Sequence, residues 1–191
     1  FIFPDWKFRR LSRTINRSLT AQCNYLAEVA EQYKYGRNNG LKYRVIRRAA
    51  HNNDAEVASL ISTLATEPDF DPTQKTLAFE FLCLNHTLLS YIAALGAHRE
   101  KIEDQEVLTL LDLAVENIQG SLLKDEVPDL NAQNMLDTIR QRLSSNNKDD
   151  QKALIVLQQL SLMLSILNQL SRLKQSLSHD RDDKATELAS L

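Results

Sequence analysis

The chain has 191 residues, with 23 Lys or Arg against 25 Asp or Glu and a formal charge of −2, long enough to bury a core without disulfide or metal staples. Four Gly and four Pro are too few for a β-sandwich or a series of βα units, so the expected fold class is all-α. The charge is uneven: residues 1–51 carry eleven Lys or Arg against three acids, a net +8, and residues 52–191 carry a net −10.

The first six residues, FIFPDW, form an aromatic, proline-bearing stub that is too short and lacks the basic start of a signal peptide. The chain begins at Phe1 rather than Met and reads as a piece of something longer. Helix one is expected from Asp5 or Lys7 to about Tyr35. Its Leu11, Ile15, Leu19, Cys23, Leu26 and Ala30 recur every three or four residues and share one face. GRNNG at 36–40 is the stop, since Gly supplies the left-handed turn that ends helices. Helix two runs from Leu41 to about Thr66 and ends ahead of Pro68. Asp69 or Asp71 then caps helix three, with Pro72 in its first turn. Apolar on nearly all sides as far as His98 or Lys101, helix three is expected to be the central, most buried one.

Helix four spans about Asp104 to Leu123, with acidic residues at its positive end. Helix five starts at Pro128 or Asp129 and reaches about Leu143. Helix six, capped by Asp149 or Asp150, runs to about Leu177. Its Leu157, Leu160, Leu164, Leu167 and Leu177 form a seam, but Leu154, Ile155, Leu162, Met163 and Ile166 widen it to the strip of a buried helix. Ala153–Leu167 is the most apolar stretch, interrupted by Gln158, Gln159, Ser161 and Ser165, and falls short of the roughly 18 to 20 apolar residues of a bilayer span. Six helices joined by polar turns predict an elongated antiparallel bundle, its longest members about 40 to 45 Å. No fixed-period repeat suggests a solenoid. The organisation is thus a stub at 1–6, a helical bundle at 7–177 and a charged, partly ordered tail at 178–191.

Several residue groups could carry function. Phe3, Trp6, Lys7, Arg9, Arg10, Arg13 and Arg17 place aromatics ahead of a basic helix, the order found where a chain leaves a membrane, with rings at the headgroups and cations toward anionic lipid. The same cations could grip nucleic acid phosphates, but no nucleic-acid motif accompanies them, the net charge is negative, and the aromatic stub has no role there. Arg44, Arg47 or Arg48, and His51 are spaced to share a side of helix two and form either an anion site or a solvated face paired with Asp54, Glu56 or a neighbouring helix. Cys83 and His86, three apart on helix three, are too few for a metal centre and are read as core packing. Both Cys23 and Cys83 are read as buried, reduced thiols. No phosphate-cradling glycine loop and no nucleophile elbow occurs, so no catalytic, cofactor or metal residues are assigned and the chain is not expected to be an enzyme.

FPDW (3–6), GRNNGLKYRVIRRAAHNNDA (36–55) and LNHTLLSYIAALGAHR (84–99) occur in that order. Together these blocks resemble the carboxy-terminal part of the YccS/YhfK family of bacterial inner-membrane proteins, within the fusaric-acid-resistance-like (FUSC) superfamily. The likeness is good over roughly the first hundred residues and rests beyond them on helical character. The resemblance implies a cytoplasmic helical domain following the last membrane helix of a transporter-like efflux protein, with an assembly or regulatory role. It implies the remainder of the same membrane protein, the anionic inner-membrane surface and a second copy of the chain as partners, and it carries over no catalytic residues. Two rivals remain. One is a free-standing helical scaffold whose basic first helix binds an acidic partner. The other is a small-ligand binder or enzyme using Arg47, Arg48, His51 and His86.

Overall fold

The computed structural model describes residues 5–68, 70–124, 130–145 and 151–179. Phe1, Phe3, Asp69, Pro128, Asp129, Asp149, Asp150 and the tail from 180 lie outside the described residues.

Six α-helices make up the described chain, with no strand among them: α1 Asp5–Tyr35, α2 Leu41–Ala65, α3 Pro72–Ala97, α4 Gln105–Leu123, α5 Leu130–Ser145 and α6 Gln151–His179. At about 1.5 Å per residue the 31-residue α1 is roughly 46 Å long. Local chemistry sets the ends. Gly36 takes φ +97°, and its N–H closes the last turn on the Gln32 carbonyl at 2.9 Å; a side chain there would have room but would be strained by that backbone angle. Asp71 caps α3 by accepting from the Thr73 and Gln74 N–H groups, beside Pro72. Asp104 caps α4 by accepting from Glu106 and Val107. Burial alone would raise the Asp104 pKa, but these bonds and the Arg142 guanidinium at 3.0 Å hold it below the usual carboxylate range.

Two helices, α1 and α6, each pack against four others, whereas α3 packs against three. α1 packs against α2, α3, α4 and α6 and buries Leu11, Ile15, Leu19, Cys23, Tyr25, Leu26, Val29 and Tyr33 almost completely. α3 touches α1, α2 and α6 but leaves Phe79, Glu80 and Cys83 exposed, so its all-round apolar composition overstates its burial. Cys83 is an exposed thiol rather than a buried one. Hydropathy and length would allow α3 or α6 to cross a membrane, a property that core helices of globular proteins also meet. Here α6 turns Leu157, Leu160, Met163, Leu164, Leu167, Leu170 and Leu173 inward, while Gln158, Ser165, Asn168 and Gln169 face out.

Polar side chains tie the register. Asn85, fully buried on α3, donates to Ser18 Oγ of α1 at 3.1 Å and to Asp54 Oδ1 of α2 at 2.8 Å. Asp54 Oδ2 meets His86 Nδ1 at 2.8 Å, and Gln22 donates to the Asn85 carbonyl at 3.2 Å. Buried Lys174 of α6 donates to the Leu122 carbonyl at 2.8 Å, where the negative end of the α4 dipole favours a cation.

Asp54→Ala strands a buried Asn85 donor and should lower the unfolding free energy in urea by about 1 to 3 kcal/mol. In thiol titration, one equivalent, Cys83, should react at once. Burial pushes the Cys23 thiol up to about 12, against a smaller opposing pull from Lys174, so its equivalent should appear only on unfolding.

Candidate functional site

The basic residues of α1 flank a groove. Arg9, Arg13 and Arg17 stand at four-residue spacing, one turn apart, and line a cavity of about 720 Å³ whose other wall is Ile46, Ala49 and Asn53 of α2, with Leu177 and Ser178 of α6 at its end. Arg17 pairs with Glu56 at 3.3 Å, both half-exposed, an interaction worth at most a few tenths to one kcal/mol. Arg10 and Arg13 are exposed and make no ion pair with another described residue. Phe3 lies outside the described residues, as do the side chains of Trp6 and Lys7.

The four α2 candidates divide. Arg44 and Arg47 line a second cavity, of about 430 Å³, together with Tyr25, Arg37, Asn39, Tyr43, Gly96 and Arg99. Arg48 lines neither cavity. His51 stacks obliquely on Tyr25, ring centres 6.4 Å apart, and its pKa is lowered by partial burial and by Arg47, with Asp54 opposing. His86 is held by Asp54 and stays largely exposed. Arg47, Arg48, His51 and His86 therefore share no single pocket, and among the described residues no group of three His, Cys, Asp or Glu gathers to hold a metal.

Arg99, which sequence reasoning did not single out as a site residue, is the centre of the second cavity. It is 5% exposed and lies over the Tyr43 ring at 3.9 Å. Its Nε donates to Gln32 Oε1 at 2.7 Å, and its two terminal nitrogens donate to the Gly96 carbonyl and Asn39 Oδ1. Gln32 also accepts from the Asn38 N–H at 3.0 Å and donates to the Asn38 carbonyl at 2.8 Å, so one buried amide holds both the loop and the guanidinium. The Tyr25 and Tyr43 hydroxyls are hydrogen-bonded at 3.2 Å. Burial first, then that bond, holds the Tyr25 pKa above the ordinary tyrosine value, so the phenol is neutral. Gly96 is what lets the two tyrosines close in: a Cβ there would meet Tyr25 Oη at 2.9 Å, Val29 Cγ2 at 3.2 Å and Tyr43 Oη at 3.3 Å. The only sequence trace was that Arg37, Gly96 and Arg99 sit inside the GRNNG and GAHR blocks.

No family model matches the chain, and no solved structure matches it. It is 41% identical over 179 residues to inner membrane protein YccS of Escherichia coli, an alignment covering 93% of this chain and 25% of that protein. The chain belongs to the YccS family. The chain is also similar to an uncharacterized protein of Haemophilus influenzae, 35% identical over 54% of this chain and 14% of that protein, and to uncharacterized protein ORF2 of Neisseria gonorrhoeae, 31% identical over 58% of this chain and 27% of that protein. The chain thus spans about a quarter or less of the length of each of these relatives. Likeness to the Escherichia coli YccS protein extends across nearly the whole chain, well past the first hundred residues that carry the resemblance blocks.

Gly→Ala inside a helix ordinarily gains up to about 1 kcal/mol. At Gly96 the clash with two tyrosine hydroxyls should reverse the sign, giving a net loss of about 1 to 2 kcal/mol in chemical denaturation. Tyr25→Phe should recover part of that loss in the double variant.

Proposed function

We propose that the chain is the cytoplasmic carboxy-terminal domain of a multi-spanning inner-membrane protein of the efflux-like, FUSC type, and that it serves assembly or regulation rather than chemistry. The observation that carries this reading is the 41% identity along 93% of the chain to a quarter of an inner membrane protein. A helical unit of this size, repeated as one part of a far longer membrane polypeptide, suits an appended domain. The basic start of α1 supports the orientation. Arg10 and Arg13, unneutralised within the described chain, stand at the end of α1 that would adjoin the bilayer, where Lys and Arg collect on the cytoplasmic side. The acidic remainder of the domain then faces away from anionic headgroups, which lowers repulsion. In this arrangement the membrane-embedded part carries any transport, and the bundle transmits or stabilises its state.

Fusions to the carboxy terminus of the whole membrane polypeptide test the sidedness. Green fluorescent protein should fluoresce and alkaline phosphatase should be inactive; the opposite pattern rules out a cytoplasmic domain. For the lipid contact, each cation near an anionic surface is worth about 1 kcal/mol. Arg10→Gln with Arg13→Gln should therefore weaken cosedimentation with phosphatidylglycerol-containing vesicles roughly thirtyfold, whereas Arg17→Gln, already paired with Glu56, should change it little.

A further inference from the structure

The cavity around Arg99 collects positive charge with nothing opposite to balance it. Arg37 comes from the α1–α2 loop, Arg44 and Arg47 from successive turns of α2, and Arg99 from just beyond α3, and no carboxylate is among the residues that line the space. Outside the lining, Glu28 holds Lys42 at 2.6 Å, and Glu100 holds Lys152 at 2.6 Å while also attracting Arg37. Arg37, Arg44 and Arg47 make no ion pair with another described residue.

Arg99 sharpens the imbalance. Its charge is buried, yet its three partners, Gln32, Asn39 and the Gly96 carbonyl, are all neutral. A guanidinium has five N–H donors, so two remain uncommitted. A buried charge without a counter-ion is costly, and three like charges beside it add repulsion. The start of α2 adds more of the same sign. Asn39, Tyr43 and Arg44 line the cavity, yet Gly40 supplies no side-chain cap and the first turn holds no acid, which leaves the positive end of the helix unopposed. Every one of these features is unfavourable while the space is filled only by water. Each becomes favourable around a bound oxyanion.

We propose that this cavity binds a small, multiply charged, phosphate-bearing molecule. Arg99, buried and held by Gln32 and Asn39, is the preorganised contact at the floor, and exposed Arg37, Arg44 and Arg47 close over the charge from the mouth. The Tyr25 and Tyr43 hydroxyls offer neutral hydrogen bonds on one wall. At about 430 Å³ the space lies within the usual range of small-molecule pockets, roughly 300 to 1,000 Å³, and suits a phosphorylated metabolite better than a bare ion. The source is a soluble molecule rather than a headgroup: Tyr25 stands about 24 Å along α1 from Arg9. That argument rests on the membrane lying at the start of α1, whereas the anion site itself does not.

Isothermal titration of the 191-residue chain with pyrophosphate at low ionic strength tests the site. Saturable one-to-one binding is expected, weakened at least tenfold in Arg44→Gln/Arg47→Gln, whose substitutions lie at exposed positions and leave the core intact. Arg48→Gln, on the same helix but outside the cavity, should bind as the parent does. Absence of saturable binding overturns the proposal, and so does an equal loss in Arg48→Gln, which would mean general charge attraction. Binding to phosphatidylcholine–phosphatidylglycerol vesicles that depends on Arg44 and Arg47, without any pyrophosphate binding, would overturn the soluble source in favour of a lipid headgroup. None of these readouts depends on which side of the membrane the fusions report.

Discussion

A helix packed against four others cannot keep every polar side chain in water. α1 is in that position, and Thr14, Ser18, Gln22 and Gln32 are all buried along it. Each must find a partner inside the protein or cost stability as an unsatisfied group. Much of the arrangement follows. Ser18 and Gln22 meet Asn85, which draws in Asp54 and His86 and so sets α1, α2 and α3 in one register. A slip of one turn in any of the three would separate these partners. Apolar contacts alone, being non-directional, would tolerate such a slip far better.

Gln32 does the same at the other end with more consequence. Its amide fastens the 36–40 loop through Asn38 and presents its oxygen to Arg99. A residue that packs the core therefore also positions the most buried cation of the cavity. The loop brings Arg37 and Asn39 to the same place, and the helix that follows brings Arg44 and Arg47. Binding groups carried on short loops and helix ends, held by rigid helices, are the common economy of functional sites.

The two basic regions have different physical characters. Along the start of α1 the cations are solvated or paired at the surface, where each interaction is weak and screened by salt. Around Arg99 three exposed cations share a half-open cavity with a buried one, and at that buried member a counter-charge is worth more. One suits a diffuse contact with a charged surface. The other suits a discrete ligand.

The helices were legible residue by residue because their determinants are local. The three- and four-residue spacing from Leu11 to Ala30 marked the buried face of α1, Gly36 marked its end, and Asp71 with Pro72 and Asp104 marked the starts of α3 and α4. Ranking of burial was not legible. Composition made α3 the centre and Cys83 a core thiol, but burial depends on how many neighbours an element has, and α1 has more of them. The candidate site was half legible: Arg44 and Arg47 share a helix face, so spacing could pair them. Arg99 lies more than fifty residues beyond Arg47 in sequence, and nothing local marks it apart from other arginines after a helix. Chain order and periodicity thus determined the all-α class, the six helices and the charge asymmetry, because those properties arise within a few residues of one another. Tertiary structure alone decided how deeply each helix is packed, which thiol is exposed and that Arg99 joins Arg37, Arg44 and Arg47 around one cavity, because these depend on long-range packing that no single segment encodes.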